Sequence, residues 1–585
     1  MPNTSSPPPG ATSPPPTKPL NIAVIGSGIA GLSSAYLLSR EHNVTIYERE
    51  AKLGMDAHAI QNPDGTHFDV PLRIFNPEYY PNLTKLYDTV GVSYEPVSSA
   101  FSCTYLLPGE ARSTTGTRST TSLAYFRYSN SKTIIKTPYP ALSLNPLHTW
   151  IPGFVAAVSK YSLLFYELVY FFVQAPRDLH NGKLADLTLG SYLRQNNYSD
   201  ALINELLYPM LTVVCTCSYS SVASYPAEVI IAYYNSYGAW SWFPNLSRTK
   251  KSVYSGGDHC RVSEGVCDVV EKLARNCDKL MLGTGISCIS PATKERGPAV
   301  SYVDNASKRT ITTVYDKIVV ATQAHHARKL LDPETTNPRL IKALGCWNHE
   351  SSRVVVHTDP RLMPSRKEDW SPVNLIMEPN STQSQLELEA RVGAGGSNNL
   401  SDSIMVDQPA TAATKLSASM CSIWMCAVDD KLDKDLIQTW NPVIEPAKDT
   451  VVANSWFVRP ILNSSSSRGI EELKRLQGEG GLYFVGAYSL YSMPLLENGV
   501  RSSCLVAKEL GSEAPWGDLQ YQGDKEIEER RKGEGTRGGG GAVLGGGLRV
   551  GVVVGGRLVA GLGLLYFGGD AKERRAGMQL FWLRK

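Results

Sequence analysis

The sequence predicts an α/β fold: a Rossmann-like dinucleotide-binding domain, interrupted by an inserted α+β domain and flanked by disordered tails. Three observations carry this expectation. The stretch "AVIGSGIAGLSSAYLLSREHNVTIYERE", residues 23–50, runs strand, glycine turn, helix, strand and acid in order. An α/β rhythm returns near residues 264–331 and again in the closing "GLYFVGAYSLYSMPLLENGVRSSCLVAKELG", after long Ser/Thr-rich and aromatic interruptions. Both ends of the chain, in contrast, are rich in Pro and Ser or in Gly and follow no period.

The opening "MPNTSSPPPGATSPPPTKP" lacks the apolar core of a secretory signal, so residues 1–19 read as a floppy leader. In residues 20–100, "NIAVIG" is a short buried-strand pattern, and "GLSSAYLLSREH" repeats Leu32, Ala35 and Tyr36 at helical spacing. "NVTIYE" is the next strand, and "YYPNLTKLYDTVGV" sets Leu83, Leu86, Tyr87 and Val90 on one helical face. Residues 101–250 form the first part of the inserted domain, in which the apolar run "YSLLFYELVYFFVQA" (161–175) carries Glu167 and reads as a core or interface helix. Residues 251–345 return to the first domain through "EGVCDVVEKLARNC", "GISCIS", "AVSYV" and the interior-strand pattern "KIVVAT". Residues 346–479 resume the inserted domain with "RVVVHTD" and "SMCSIWMCAV", residues 480–514 close the first domain, and residues 515–585 form a low-complexity tail.

Composition narrows the partners. The 585 residues are 42% hydrophobic and 19% charged, which is ordinary for a globular chain, and the formal charge is only +3 without a long basic run. Nucleic acid is therefore excluded as a partner. No segment offers the run of about twenty apolar residues that a membrane span requires, although the 161–175 segment leaves contact with a membrane surface open. The eleven scattered cysteines read as buried thiols of a reducing, cytoplasmic compartment, and no metal-ligand spacing is present.

The glycines define a nucleotide site. Gly26 permits the tight turn out of the strand, Gly28 lets backbone amides approach a pyrophosphate, and Gly31 lets helix and sheet pack closely. The helix N-terminus then directs free amides and partial positive charge at the phosphates. Glu48, at the end of the second strand, stands where a carboxylate accepts hydrogen bonds from a ribose diol. The late "LYFVGAY" and "ENGVRSS" offer a second touch on the same ligand: a helix starting near Asn498 would direct its amides at the far end of a long cofactor such as FAD.

With "LGMDAHAI" and "DVPLRIFNPEYYPNLTKLYDTVGV" added, these motifs resemble the flavin-containing amine oxidase superfamily, which includes protoporphyrinogen oxidases and carotenoid desaturases. The resemblance covers roughly residues 20–512. It implies FAD, with Gly26, Ser27, Gly28, Ala30 and Gly31 on the pyrophosphate and Glu48 with its neighbour Arg49 at the adenosine ribose. It further implies Gly54, Asp56 and Ala57 along the diphosphate and ribityl chain, Arg73 (with Pro71 and Leu72) beside the isoalloxazine and the Ile286 backbone at adenine. The flavin-contacting return would be Gly486, Ala487, Glu497, Gly499 and Val500. Met55 replaces a usual glycine and Ala487 a usual acid.

Tyr488 and Tyr491 follow the late glycine and are the candidate catalytic aromatics, with Trp424 a further wall; His325 and His326 read as structural. The implied activity is hydride removal from a C–H bond of an amine or of a lipophilic, unsaturated small molecule. An apolar substrate is favoured because no acidic cluster is present in the inserted domain to bind a polyamine. A flavin-dependent isomerase and a non-catalytic escort protein of the same fold remain open.

Overall fold

A computed structural model describes residues 18–54, 58–61, 67–107, 121–128, 150–236, 259–304, 307–377, 419–519 and 527. Leader residues 1–17, Met55, Asp56, Ala57 and the tail from residue 520, apart from Ile527, lie outside the described residues.

The sheet that carries the glycine motif has five parallel strands, in the spatial order Leu482–Phe484, Lys317–Val320, Asn21–Ile25, Asn43–Tyr47, Lys279–Met281. Its central strand reads "NIAVI" because both faces are covered: Ile22, Ala23 and Val24 are fully buried. Ile25 lies level with Tyr47 on one side and Val320 on the other, so three carboxyl ends form one edge. Ligands of parallel α/β sheets bind at that edge. The helix Ile29–Leu38 is buried on nearly every side, which explains its apolar sequence without a polar face.

A second sheet has seven strands, in the order Val451–Ile461, Asn348–His357, Ile437–Trp440, Met420–Trp424, Val373–Met377, Phe101–Leu107, Thr121–Tyr128. It is antiparallel except where Val373–Met377 pairs in parallel with Phe101–Leu107. The helices that follow in the chain include Trp150–His180, Tyr208–Cys215 and Ala227–Ser236. In the first of these, Leu164, Leu168, Phe171 and Phe172 are buried, as a core helix requires. Its buried Glu167 accepts hydrogen bonds from the Ser199 amide and hydroxyl, which gives the carboxyl group partners inside the protein. Among the described residues, no helix is long and apolar enough to cross a membrane. All eleven cysteines are free; six are buried, but Cys267 is exposed, contrary to the expectation of uniformly buried thiols, because it falls on the outer face of helix Gly265–Ala274.

The helix Ser464–Leu476 shows how local chemistry sets a boundary. The Asn463 side chain accepts from the Ser465 and Ser466 amides at 3.0 Å each, and the Ser466 hydroxyl accepts from the Asn463 amide at 2.7 Å. This is a reciprocal capping box. Asn463→Ala is expected to destabilise the protein by about 1 kcal/mol, read as a lower midpoint in urea denaturation.

Candidate functional site

The carboxyl edge of the parallel sheet opens into a cavity of about 490 Å³ between the two sheets. One side is built by Gly28, Ile29 and Ala30, by Ala321–Gln323 after the strand "KIVV", and by Gly486, Ala487 and Tyr488. The opposite side is mostly apolar, with Phe101, Val373, Leu375, Ile423 and Trp440 of the seven-stranded sheet and Met210, Val213 and Val214 of a helix.

The glycines act as the motif demands. Gly26 has φ +99°, a left-handed conformation that disfavours a side chain, and its amide donates to the Tyr47 carbonyl at 2.8 Å. A Cβ on Gly31 would lie 1.9 Å from the Gly26 carbonyl oxygen, so the helix can approach the turn only without one. Gly28 precedes the first helical residue, and a Cβ there would meet nothing within 4 Å: the space in front of the helix amides is open.

Glu48 is buried and organises the loop. Its carboxylate accepts from the Ser27 amide at 2.9 Å, from the Ser27 hydroxyl and from the Glu50 amide at 2.9 Å. The Ser27 hydroxyl in turn accepts from the Gly54 amide at 2.9 Å, which joins Ser27, Glu48 and Gly54 in one network. The Gly283 and Thr284 amides bond the Glu50 and Glu48 carbonyls, so the approach to Ile286 runs beside Glu48, although Ile286 itself pairs with Tyr302 in a separate three-stranded sheet. Arg49 points outward, paired with Glu50 at 3.1 Å.

The distant closing segment meets the same cavity. Leu495, Leu496 and Gly499 line it at the N-terminus of helix Leu496–Glu509. That helix packs on the motif helix: the Ser503 hydroxyl donates to the Ala30 carbonyl at 2.7 Å, and a Cβ on Gly499 would lie 2.9 Å from the Ile29 side chain. Val500 is fully buried behind it and does not reach the lining. Glu497 also turns away. Its carboxylate accepts from the Asn82 amide at 3.1 Å, the Asn82 side-chain amide and the Leu83 amide at 2.9 Å, at the start of helix Pro81–Val90. Burial outweighs these donors and pushes its carboxyl up to about 7.

Of the candidate aromatics, Tyr488 lines the cavity and is buried, with Trp347 edge-on at 6.3 Å; desolvation raises its phenol pKa. Tyr491 instead donates to Glu228 at 2.9 Å, and Trp424 donates to the Lys434 carbonyl at 2.7 Å; neither lines the cavity. His325 and His326 lie apart from it, their rings 4.0 Å from one another, and burial holds His325 down at about 3. Arg73 lines the cavity as the sequence implies.

Sequence reasoning missed Thr322, Gln323, Trp440 and Arg459 in the lining. The "VVATQA" segment held the first two in plain view, as polar residues at the end of an interior strand. The Thr322 hydroxyl and the Gln323 side-chain oxygen are buried without a hydrogen-bond partner among the described residues, which suits a wall that awaits a polar ligand. With the open space at Gly28, these atoms make the site fit a dinucleotide.

Comparisons with known proteins agree with the geometry. The family model described as NAD(P)-binding Rossmann-like domain matches residues 24–90. That span is the glycine turn, Glu48 and the following helix. Over 83 residues the chain is 37% identical to 15-cis-phytoene desaturase of Capsicum annuum, and over 82 residues 38% identical to that of Solanum lycopersicum. These matches cover 14% of this chain and 14% of the length of each desaturase. The fold as a whole is shared with putrescine oxidase: a double mutant redesigned in its cofactor binding aligns at TM-score 0.50 and 12% identity, over 85% of this chain and 100% of that one. The resemblance to the flavin-containing amine oxidases therefore holds at the level of the fold.

Proposed function

We propose that the chain is an FAD-dependent oxidoreductase of the amine oxidase and desaturase type, which removes a hydride from a C–H bond of an apolar small molecule. The observation that carries this reading is the convergence of the Gly28 turn and the N-terminus of helix Leu496–Glu509 on one cavity. Two helix termini directed into one groove suit a long cofactor with a charged centre and a reducible far end. Bound FAD would supply the hydride acceptor, its N5.

In this reading the chain's own residues divide the work. Ser27, Gly28 and Ala30 bind the pyrophosphate, and Glu48 orients the ribose through the same carboxylate that fixes Ser27 and Gly54. Thr322 and Gln323 offer hydrogen bonds along the groove. Tyr488 and Trp440 exclude water beside the reacting carbon. Residues 20–100, 251–345 and 480–514 form the cofactor unit, and residues 101–250 and 346–479 the substrate unit.

The test is direct. The purified protein is expected to be yellow, and denaturation should release FAD, identified by chromatography and mass. A colourless protein that gains no bound visible absorbance after incubation with FAD overturns the proposal.

A further inference from the structure

We infer that Cys215 and Cys217 form an oxidisable dithiol in the wall of the cavity, which a hydroperoxide closes to a disulfide by way of Cys215. The inference rests on the flavoenzyme reading only for a source of peroxide, the product of oxygen at a reduced flavin.

The turn between the two cysteines sets them side by side. Helix Tyr208–Cys215 ends with Thr216 at φ 49° and ψ 50°, a left-handed conformation, and the Cys217 amide donates back to the Thr212 carbonyl at 3.2 Å. Glycine usually supplies such a helix end, and a β-branched residue in it is an outlier. Two hydrogen bonds hold it there: the Thr216 hydroxyl donates to the Cys215 carbonyl at 2.8 Å, and the Ser352 hydroxyl donates to the Thr216 carbonyl at 2.8 Å. Helical dihedrals of either hand place the Cα atoms on the two sides of a residue about 5.4 Å apart. A disulfide spans about 4.4–6.8 Å between Cα atoms, so the pair needs no change in that separation. The Cys217 thiol also lies in contact with that of Cys215.

The surroundings give the two sulfurs different parts. Cys215 and Thr216 line the cavity beside Val213 and Val214, whereas Cys217 does not reach the lining. Peroxide in the cavity therefore meets Cys215 first. Burial, and then the adjoining Cys215 thiol, hold the Cys217 thiol well above its usual range, so it keeps its proton until the second step. In the first step the Cys215 thiolate attacks one peroxide oxygen: an S–O bond forms, the O–O bond breaks, and hydroxide leaves and takes up the proton that Cys215 gave up. Cys215 is then a sulfenic acid. In the second step the Cys217 sulfur displaces that hydroxyl group, the S–S bond forms, and the Cys217 proton departs with the hydroxyl as water. The two sulfurs lose two electrons in all, and the peroxide gains them. The other cysteine of the lining, Cys421, has no such neighbour in Cys103: the two flank Leu375 in the strand ladder. Two strand spacings, about 9.6 Å, separate them, which is beyond the reach of a disulfide.

The test is mass spectrometry of the full-length protein after treatment with hydrogen peroxide, alkylation of the remaining thiols in denaturant and digestion with trypsin. Residues 195–248 form one tryptic peptide, which holds Cys215 and Cys217 and no other cysteine. It should carry neither alkyl group and be two hydrogens lighter than the reduced peptide, and dithiothreitol should restore both alkylation sites. Cys217→Ser should stop at the Cys215 sulfenic acid, trapped with dimedone, and Cys215→Ser should leave Cys217 reduced. Phenylarsine oxide, a trivalent arsenical that bridges paired thiols, should protect both cysteines of the unmodified protein from alkylation, which reads their proximity without recourse to any variant. A peptide that keeps both thiols free at a peroxide dose that oxidises the exposed Cys267 overturns the inference. So does a disulfide that joins this peptide to the one that carries Cys421, and so does an arsenical that protects neither thiol. A colourless protein that closes the disulfide under added peroxide keeps the dithiol and removes only the flavin reading.

Discussion

Gly28→Asp is expected to fold like the unmodified protein and to retain no flavin. A Cβ at residue 28 meets nothing within 4 Å, and the position is the N-cap of helix Ile29–Leu38, with φ −65° and ψ 176°. Aspartate is among the preferred N-cap residues, so the thermal midpoint of the cofactor-free protein should be unchanged or slightly higher. The same carboxylate would occupy the space in front of the helix amides and repel a pyrophosphate. Like charges brought together there cost several kcal/mol, or roughly a thousandfold in affinity. Gly31→Ala should behave differently. Its Cβ would fall 1.9 Å from the Gly26 oxygen and 2.9 Å from the Gly26 carbonyl carbon, so the turn itself must move. Stability should drop by about 1–3 kcal/mol and flavin retention should fall with it. Visible absorbance after gel filtration, paired with thermal melts, separates the two cases. A yellow Gly28→Asp protein would place the pyrophosphate elsewhere.

The contrast between these glycines also shows what was legible in the sequence. The β-α-β unit is local: glycine turn, helix and Glu48 all lie within residues 21–48, and each residue type answers to a nearby steric or hydrogen-bonding need. The return of the closing helix was legible too, because a second helix start with glycine follows a strand. The seven-stranded sheet was not. Its strands pair across long separations, Phe101 with Val373 and Asn348 with Ile461, and no period within a single strand names its partner. Trp440 and Arg459 enter the cavity only through that ladder, so nothing local marked them.

Tyr488 and Tyr491 illustrate the limit at finer scale. Both follow Gly486 within five residues, yet the short turn Ala487–Ser489 sets Tyr488 into the lining while Tyr491 reaches Glu228 on another helix. Glu497 is the same problem in reverse. An acid in the first turn of a helix beside the cavity invites a ligand contact, but its acceptors face the amides of helix Pro81–Val90, whose sequence gives no sign of the meeting.

Glu497 should therefore govern stability and its pH dependence. The residue is fully buried, and its folded carboxyl, pushed up to about 7, stands above the ordinary value of 4.5. Below pH 4.5 the group is protonated in both the folded and the unfolded chain. Between pH 4.5 and about 7 the unfolded chain loses the proton while the folded protein keeps it, so the folded state binds more protons. Stability from this group is thus complete at low pH and declines across that window, by roughly 3 kcal/mol in all, then stays level above it. Arg501, Asn82 and Leu83 favour the ionised form and Cys504 is the neighbouring thiol, and burial overrides the three. Glu497→Gln removes the ionisation, so urea midpoints measured from pH 4.5 to 7 should lose this decline. Glu497→Ala also strands the amides of Asn82 and Leu83, at a cost of about 3 kcal/mol or more. Flavin retention should fall with it, because helix Leu496–Glu509 supplies Leu496 and Gly499 to the cavity wall. An identical pH slope in Glu497→Gln and the unmodified protein would show that the Glu497 carboxyl ionises in the folded protein without penalty.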